Sequence, residues 1–203
     1  MGFMSKKTKL IPKQEIAGVI LAGGRGARMG ERDKGLMNYR NGLMIEAVLE
    51  RFAPQVSELL VSANRSHQAY AALGYPVLKD ATTADIPDFS GPLCGIYTAL
   101  QWSRLPWLAC VPCDMPYLPL NLVQGLAANM EDQCAAYASD GRQGHYLCCL
   151  LNQSLVDGLS QYLHQGQRAV RHWLRQIDAK QVVFECDASA FRNVNYPEDL
   201  TPS

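Results

Sequence analysis

The sequence predicts an α/β fold, a three-layer α/β/α arrangement with a mostly parallel central sheet, and three observations carry that expectation. Short apolar runs of strand length alternate with segments whose apolar residues recur at helical spacing. The runs at 16–22 and 107–113 are almost unbroken, which is how strands buried on both faces read. Turn-forming glycines, prolines and polar residues separate the units at lengths that suit βαβ crossovers.

Residues 16–22 read Ile-Ala-Gly-Val-Ile-Leu-Ala and make the first, central strand. Beyond a glycine-rich stretch, Met44, Ile45, Val48, Leu49 and Phe52 share a helical face, and Pro54 closes that helix. Strands follow at 59–63 and 75–79, with a short helix over 66–73 between them. Gly91-Pro92 opens a helix with Leu93, Ile96, Tyr97 and Leu100 on one face. Residues 107–113 return as a strand that ends at Pro112-Cys113-Asp114. Pro119 is expected in the first turn of a helix that buries Leu122, Val123, Leu126, Ala127 and Met130. After strands at 134–139 and 146–151, Ser154-x-x-Asp157 reads as a capping box for a helix bearing Leu155, Leu159, Tyr162 and Leu163, with Gly166 as its stop. Val170, Trp173, Leu174 and Ile177 mark a last helix and 181–186 a late strand. Residues 1–14, with Lys6, Lys7, Lys9 and Lys13 and no apolar segment, are expected as a flexible N-terminal tail, and 15–200 as a single domain.

Of the 203 residues, 19 are Lys or Arg and 19 are Asp or Glu, so the formal net charge is zero; 48% are apolar. A chain of this size buries a core without staples. Electroneutrality excludes a protein that holds nucleic acid through its general field, because duplex affinity rests on neutralising several phosphates at once. A polyanion must be met locally. Seven cysteines lie far below the density of a disulfide scaffold, an odd count cannot pair fully, and no apolar stretch approaches the roughly 20 residues of a membrane span. A cytoplasmic protein with no membrane contact is expected.

Open α/β sheets bind ligands beyond the carboxyl ends of their strands, which directs attention to the loops after Ala22, Ala63, Lys79 and Cys113. The first of these crowds Gly23, Gly24, Gly26 and Gly30 together with Arg25, Arg28, Arg32 and Lys34. Glycines let backbone amides approach phosphate oxygens, and Arg28 and Lys34 add charge the neutral whole lacks. The loop matches neither the Walker pattern nor the dinucleotide fingerprint, since Gly30 comes one residue too late. Taken alone, it also fits a solvated basic surface turn.

The spacing Leu-x-Gly-Gly-x-x-x-Arg-Met-Gly-x-x-Lys, with one extra residue before Lys34, resembles the signature of nucleotidyltransferases, and in particular of the molybdenum cofactor guanylyltransferases. Ala63-Asn64-Arg65, Lys79-Asp80, Gly91-Pro92-Leu93, Pro112-Cys113-Asp114-Met115-Pro116-Tyr117 and Asn193-Val194-Asn195-Tyr196-Pro197-Glu198 match in the same order, over about 16–200. The resemblance implies a Rossmann-like domain of the nucleotidyltransferase type that transfers GMP from GTP to molybdopterin and releases pyrophosphate. The acceptor's phosphate attacks the α-phosphorus; being ionised at neutral pH it needs no base, only alignment and charge neutralisation.

On that resemblance Arg28, Lys34 and Asp114 are the catalytic candidates, with Lys34 on the α-phosphate, Arg28 on the departing pyrophosphate and Asp114 as the Mg²⁺ ligand. Leu21, Ala22, Gly23, Gly24, Asn64 and Asp80 are expected around the nucleotide, Asp80 reading the two donors of guanine's pairing edge. Asn193 and Asn195 share a face if extended and suit the acceptor or a second metal. The family commonly shows His-Pro in the stretch 140–146; here Tyr146 stands in place of the proline, and His145 receives no role. The alternatives are a cytidylyltransferase or sugar-phosphate nucleotidyltransferase of the same fold, and a GTP-binding adaptor without turnover. Gly23-Gly24 after Ala22 favours the guanylyl member by resemblance. A transient contact with molybdenum cofactor proteins would suit a labile product. Cys110-x-x-Cys113 lacks a second half and reads as buried free thiols, and the tryptophans read as packing residues.

Overall fold

The computed structural model describes residues 11–23, 33–80, 91–185, 187 and 189–194. In chain order the elements are β1 (Ile16–Leu21), the hairpin strands β2 (Asn38–Tyr39) and β3 (Gly42–Leu43), α1 (Met44–Phe52), β4 (Glu58–Ser62), α2 (His67–Ala71), β5 (Val77–Leu78), α3 (Pro92–Trp102), β6 (Trp107–Pro112), α4 (Leu122–Ala128), β7 (Ala135–Ser139), β8 (Gly144–Asn152), α5 (Val156–His164), α6 (Val170–Gln176) and β9 (Lys180–Val183). Seven strands form the main sheet in the order β5-β4-β1-β6-β8-β7-β9. β1 pairs in parallel with β4 and β6, β4 with β5, and β7 with β9, while β8 runs against both neighbours.

Side-chain alternation along β1 divides the core into two layers. Ile16, Ile20 and Ala22 pack with Ile45, Val48 and Phe52 of α1, Tyr70 of α2, and Val123 and Leu126 of α4. Ala17, Val19 and Leu21 pack on the opposite face with Ile96 and Leu100 of α3, Leu159 and Leu163 of α5, and Trp173 of α6. This is the expected three-layer order, and both faces of β1 are buried throughout. Gly18 of β1 leaves room for α1 and β4, since a Cβ there would lie 2.9 Å from Phe52 Cε1 and 2.8 Å from Leu59 Cδ1. The apolar period of α1 and the glycine beneath it are two halves of one fit.

Several local expectations are corrected. Asn152 Oδ1 accepts from the Ser154 N–H at 3.0 Å, so a 3₁₀ turn precedes α5 and that helix begins at Val156 without a side-chain cap. Asn152 is as good a cap as Ser154 and comes first. Pro119 lies ahead of α4; its carbonyl accepts from Leu122 N–H in the turn that leads in. The β2–β3 hairpin is too short to leave an alternating pattern. Residues 11–14 are not tail: Ile11 packs against the core and Lys13 Nζ donates to the Pro54 carbonyl at 2.6 Å. Residues 1–10 and Cys186 lie outside the described residues. Gly166, at φ 77°, ends α5 as expected. Trp173 is buried, whereas Trp102, at the end of α3, is 40% exposed. Among the described residues no helix is long and apolar enough to cross a membrane.

The parallel ladders continue just past the strands. Ala22 N–H donates to the Ser62 carbonyl at 2.8 Å, Cys113 N–H to the Leu21 carbonyl at 3.1 Å, and Ala63 N–H to the Leu78 carbonyl at 2.9 Å. Gly23, Asn64, Asp80 and Asp114 therefore leave the sheet along one edge, where an open α/β sheet holds its ligands.

Candidate active site

Asp114 leaves β6 with only 8% of its surface exposed, and its carboxylate meets a cation that lies 80 residues away in sequence. Lys34 Nζ donates to Asp114 Oδ2 at 3.1 Å. Lys34 opens a single 3₁₀ turn, Lys34–Leu36, immediately after the glycine-rich loop. The side chains are 26% and 12% exposed, open enough for a ligand to insert its own charges between them. The structure thus brings two predicted residues of opposite sign to one point. Asp114 also holds the C-terminal segment, its carbonyl accepting from Val194 N–H at 2.9 Å. This docks Asn193 beside the same strand end, with its own surface exposed.

On the other flank, past β4 and β5, Asn64 and Asp80 bind each other twice. Asn64 Nδ2 donates to Asp80 Oδ2 at 2.7 Å and the Asp80 N–H donates to Asn64 Oδ1 at 2.9 Å. Ser62 Oγ donates to Asp80 Oδ1 at 3.2 Å, and the aspartate is 7% exposed. Gly23 lies against this pair: a Cβ there would stand 3.3 Å from Asn64 Nδ2 and 4.0 Å from Asp80 Oδ2. Leu21, Ala22 and Gly23 consequently run between the Asn64–Asp80 couple and the Lys34–Asp114 couple. Arg28, Gly24 and Asn195 lie outside the described residues.

Ser62 is a site residue that the pattern of the sequence conceals. Its only signal is a polar residue inside the apolar run 59–63. Its setting is tight, since a Cβ on Gly95 of α3 would stand 2.5 Å from Ser62 Oγ, 3.1 Å from Leu21 Cδ2 and 3.3 Å from Asp80 Oδ1. Alanine at a helical glycine gains about 1 kcal/mol in propensity, but here Ser62 can make room only by giving up Asp80. Gly95→Ala is expected to lower stability by about 1–2 kcal/mol net, and to weaken nucleotide binding, as read by thermal unfolding with and without nucleotide.

A third group sits toward β8. The His145 ring stacks on Phe191 with centroids 4.4 Å apart and planes 14° from parallel, and His145 Nε2 lies 3.2 Å from Asp140 Oδ2. Backbone N–H groups of Gln143 and Arg142, then His145, hold the Asp140 carboxyl down to about 2. His145 is thus a buried residue of β8, stacked on Phe191 beside the turn that carries Asp140. Cys110 and Cys113 are buried free thiols. Burial, and for Cys113 also the nearby Asp114, pushes their ionisation up, away from thiolate chemistry.

The arrangement offers a carboxylate with two satisfied anchors at one end, a lysine–carboxylate couple at the other, and glycine backbone between them. Such an arrangement can accept hydrogen bonds at one end and meet phosphate charge at the other. Residues 18–182 match the model of the MobA-like NTP transferase domain. The chain is 41% identical over 186 residues to the molybdenum cofactor guanylyltransferase of Serratia proteamaculans, covering 92% of each chain. It is also 41% identical over 197 residues to that of Polynucleobacter asymbioticus, covering 94% of this chain and 96% of the relative. The crystal structure of molybdopterin-guanine dinucleotide biosynthesis protein A from Archaeoglobus fulgidus superposes with a TM-score of 0.72 at 21% identity, over 91% of this chain and 94% of that one. The 2-C-methyl-D-erythritol 4-phosphate cytidylyltransferase of Thermus thermophilus shares the fold at 16% identity and a TM-score of 0.63, over 90% and 94% of the two chains. The chain belongs to the MobA-like NTP transferase family, among the molybdenum cofactor guanylyltransferases, and is a nucleotidyltransferase.

Proposed function

We propose that this enzyme transfers GMP from GTP to the terminal phosphate of molybdopterin, releasing pyrophosphate and forming the guanine dinucleotide cofactor. The observation that carries the reading is the pairing of two couples across the Gly23 backbone: Asn64–Asp80 for the base, Lys34–Asp114 for the phosphates. Guanine presents two adjacent donors, N1–H and N2–H₂, on its pairing edge. A carboxylate accepts about four hydrogen bonds, so the anchoring of Asp80 by Ser62 and Asn64 is compatible with a further donor pair. Cytosine offers a single donor there, which sets the guanylyl reading above the cytidylyl one.

Lys34 lines up the α-phosphate and offsets the charge that gathers on its oxygens; Arg28 does the same for the departing pyrophosphate. Leu21, Ala22, Gly23 and Gly24 provide backbone along the ribose, and Asn193 and Asn195 the acceptor side. The donor set fits Mg²⁺ of the substrate-chelated kind: one carboxylate, Asp114, at a strand end, with no group of three ligating side chains among the described residues. Bound to the triphosphate, Mg²⁺ would neutralise phosphate charge. The setting we propose is cytoplasmic, with transient contact to molybdenum cofactor proteins that receive the product.

The test is thermal unfolding with GTP, CTP or ATP, each with and without Mg²⁺, followed by pyrophosphate release with molybdopterin present. A ligand at 100 times its dissociation constant adds about 2.7 kcal/mol, or roughly 5–11 °C at 2–4 °C per kcal/mol. Selective stabilisation by GTP supports the reading, and stabilisation by CTP alone overturns it. Binding of GTP without pyrophosphate release would leave only an adaptor. Asp80→Asn is expected to weaken GTP roughly 10- to 100-fold, and ATP or CTP much less. Its amide can still satisfy Asn64 and Ser62, but it cannot accept from both guanine donors. Equal losses for all three nucleotides would show that Asp80 does not read the base.

A further inference from the structure

We infer that Tyr70 and Asp33 are a positioning pair that aims Lys34 at the phosphate site, an inference that rests on the function proposed above. Lys34 gains its direction from the one turn it opens, where Leu36 N–H donates to the Asp33 carbonyl at 3.1 Å and Met37 N–H to the Lys34 carbonyl at 3.2 Å. The turn buries Gly35 and packs Leu36 against the core, which seats its far end; the end that carries Lys34 still has to be fixed. The Asp33 side chain does this: Oδ1 accepts from the Tyr70 hydroxyl, and Oδ2 lies 3.7 Å from Arg65 Nε, an ion-pair contact. That carboxylate is 9% exposed, and Tyr70 is fully buried on α2 within the core that includes Val61, Ala63 and Val111.

The next residue closes the fit. A Cβ on Gly35 would stand 2.5 Å from the Tyr70 hydroxyl and 3.2 Å from the ring, so the turn rests directly on the tyrosine. Glycine is required here by space. Burial and the neighbouring carboxylate raise the ionisation of the Tyr70 hydroxyl, which stays a donor at every working pH. The pair also solves an electrostatic problem. Asp33 adjoins Lys34 and would be a natural local partner for it; bound to Tyr70 and facing Arg65, its carboxylate is directed elsewhere while Lys34 reaches Asp114. Tyr70 touches neither substrate nor reacting atoms in this scheme and acts through the turn.

The test is a double-mutant cycle of Tyr70→Phe with Lys34→Ala, measured as calorimetric affinity for GTP and for guanosine, and as turnover of pyrophosphate release. Removing only the hydroxyl is expected to leave guanosine affinity within about twofold of wild type, and to lower kcat roughly 10- to 100-fold, since about 1 Å of misplacement can cost a hundredfold. In the Lys34→Ala background the same change should cost nothing further in GTP affinity or kcat. Asp33→Asn, which keeps an acceptor for the hydroxyl, should recover most of the loss seen in Asp33→Ala. A Tyr70→Phe enzyme with wild-type kcat and GTP affinity overturns the proposal. So does a loss that multiplies undiminished onto Lys34→Ala, because a merely structural role would behave that way. Wild-type protein that binds GTP but transfers no GMP would refute the proposed function, and the binding arm of the cycle would still decide this one. Failure to bind any nucleoside triphosphate would sink both.

Discussion

Lys34→Ala is expected to lower pyrophosphate-release turnover by roughly 10²- to 10³-fold, the effect of removing one preorganised charge from a transition state. The fold should survive. Lys34 is 26% exposed and its turn is held by Asp33 and Gly35 rather than by its own side chain. A partly exposed ion pair contributes about 0–1 kcal/mol, so the melting midpoint should move by no more than about 4 °C. Guanosine affinity should be unchanged, because the base end is built on the reciprocal hydrogen bonds of Asn64 and Asp80. Near-normal turnover would remove Lys34 from the mechanism. Lost guanosine binding would mean that the two ends of the site are not separable.

Asp114→Asn is expected to abolish divalent-dependent turnover, with at least a comparable loss, while leaving the protein folded. Asparagine matches the shape of the aspartate, and the contact that docks the C-terminal segment uses the Asp114 backbone carbonyl, which the substitution does not alter. The cost to stability is confined to the pairing with Lys34 Nζ at 3.1 Å. The two variants should differ in their metal titrations. Lys34→Ala lowers the maximal rate at every Mg²⁺ concentration, whereas Asp114→Asn moves the midpoint to much higher metal as well. An unchanged midpoint in Asp114→Asn would assign the metal to other groups. Gly95→Ala, Asp80→Asn and Tyr70→Phe then probe the base end and the support beneath Lys34 independently.

The elements most legible in the sequence were those whose surroundings are uniform. β1 and β6 are buried on both faces, so their residues are apolar without a break and announce a central parallel strand. α1 has one buried face, and Met44, Ile45, Val48, Leu49 and Phe52 report it directly. Where the surroundings are decided by a few atoms, the pattern misled. Asn152 took the cap expected of Ser154, and β2 and β3 are only two residues each, too short for any period to show.

The candidate site divides in the same way. Glycine, lysine and aspartate at strand ends in family order made Gly23, Lys34, Asn64, Asp80 and Asp114 nameable from the chain alone. Their partners were not nameable. The reciprocal bonds of Asn64 and Asp80 join residues 16 apart across two strands, and Lys34 and Asp114 are 80 apart. Tyr70 lies within the short helix expected over 66–73 and Asp33 beside Lys34, and neither drew a role from the sequence; their hydrogen bond spans 37 residues. By itself, then, the sequence determined the α/β layering and the residue types that gather at one edge of the sheet, because burial periodicity and glycine spacing are local properties. Which donor faces which acceptor was decided by the parallel crossovers that bring distant strand ends to one edge, where geometry at the scale of a single hydrogen bond selects the partners.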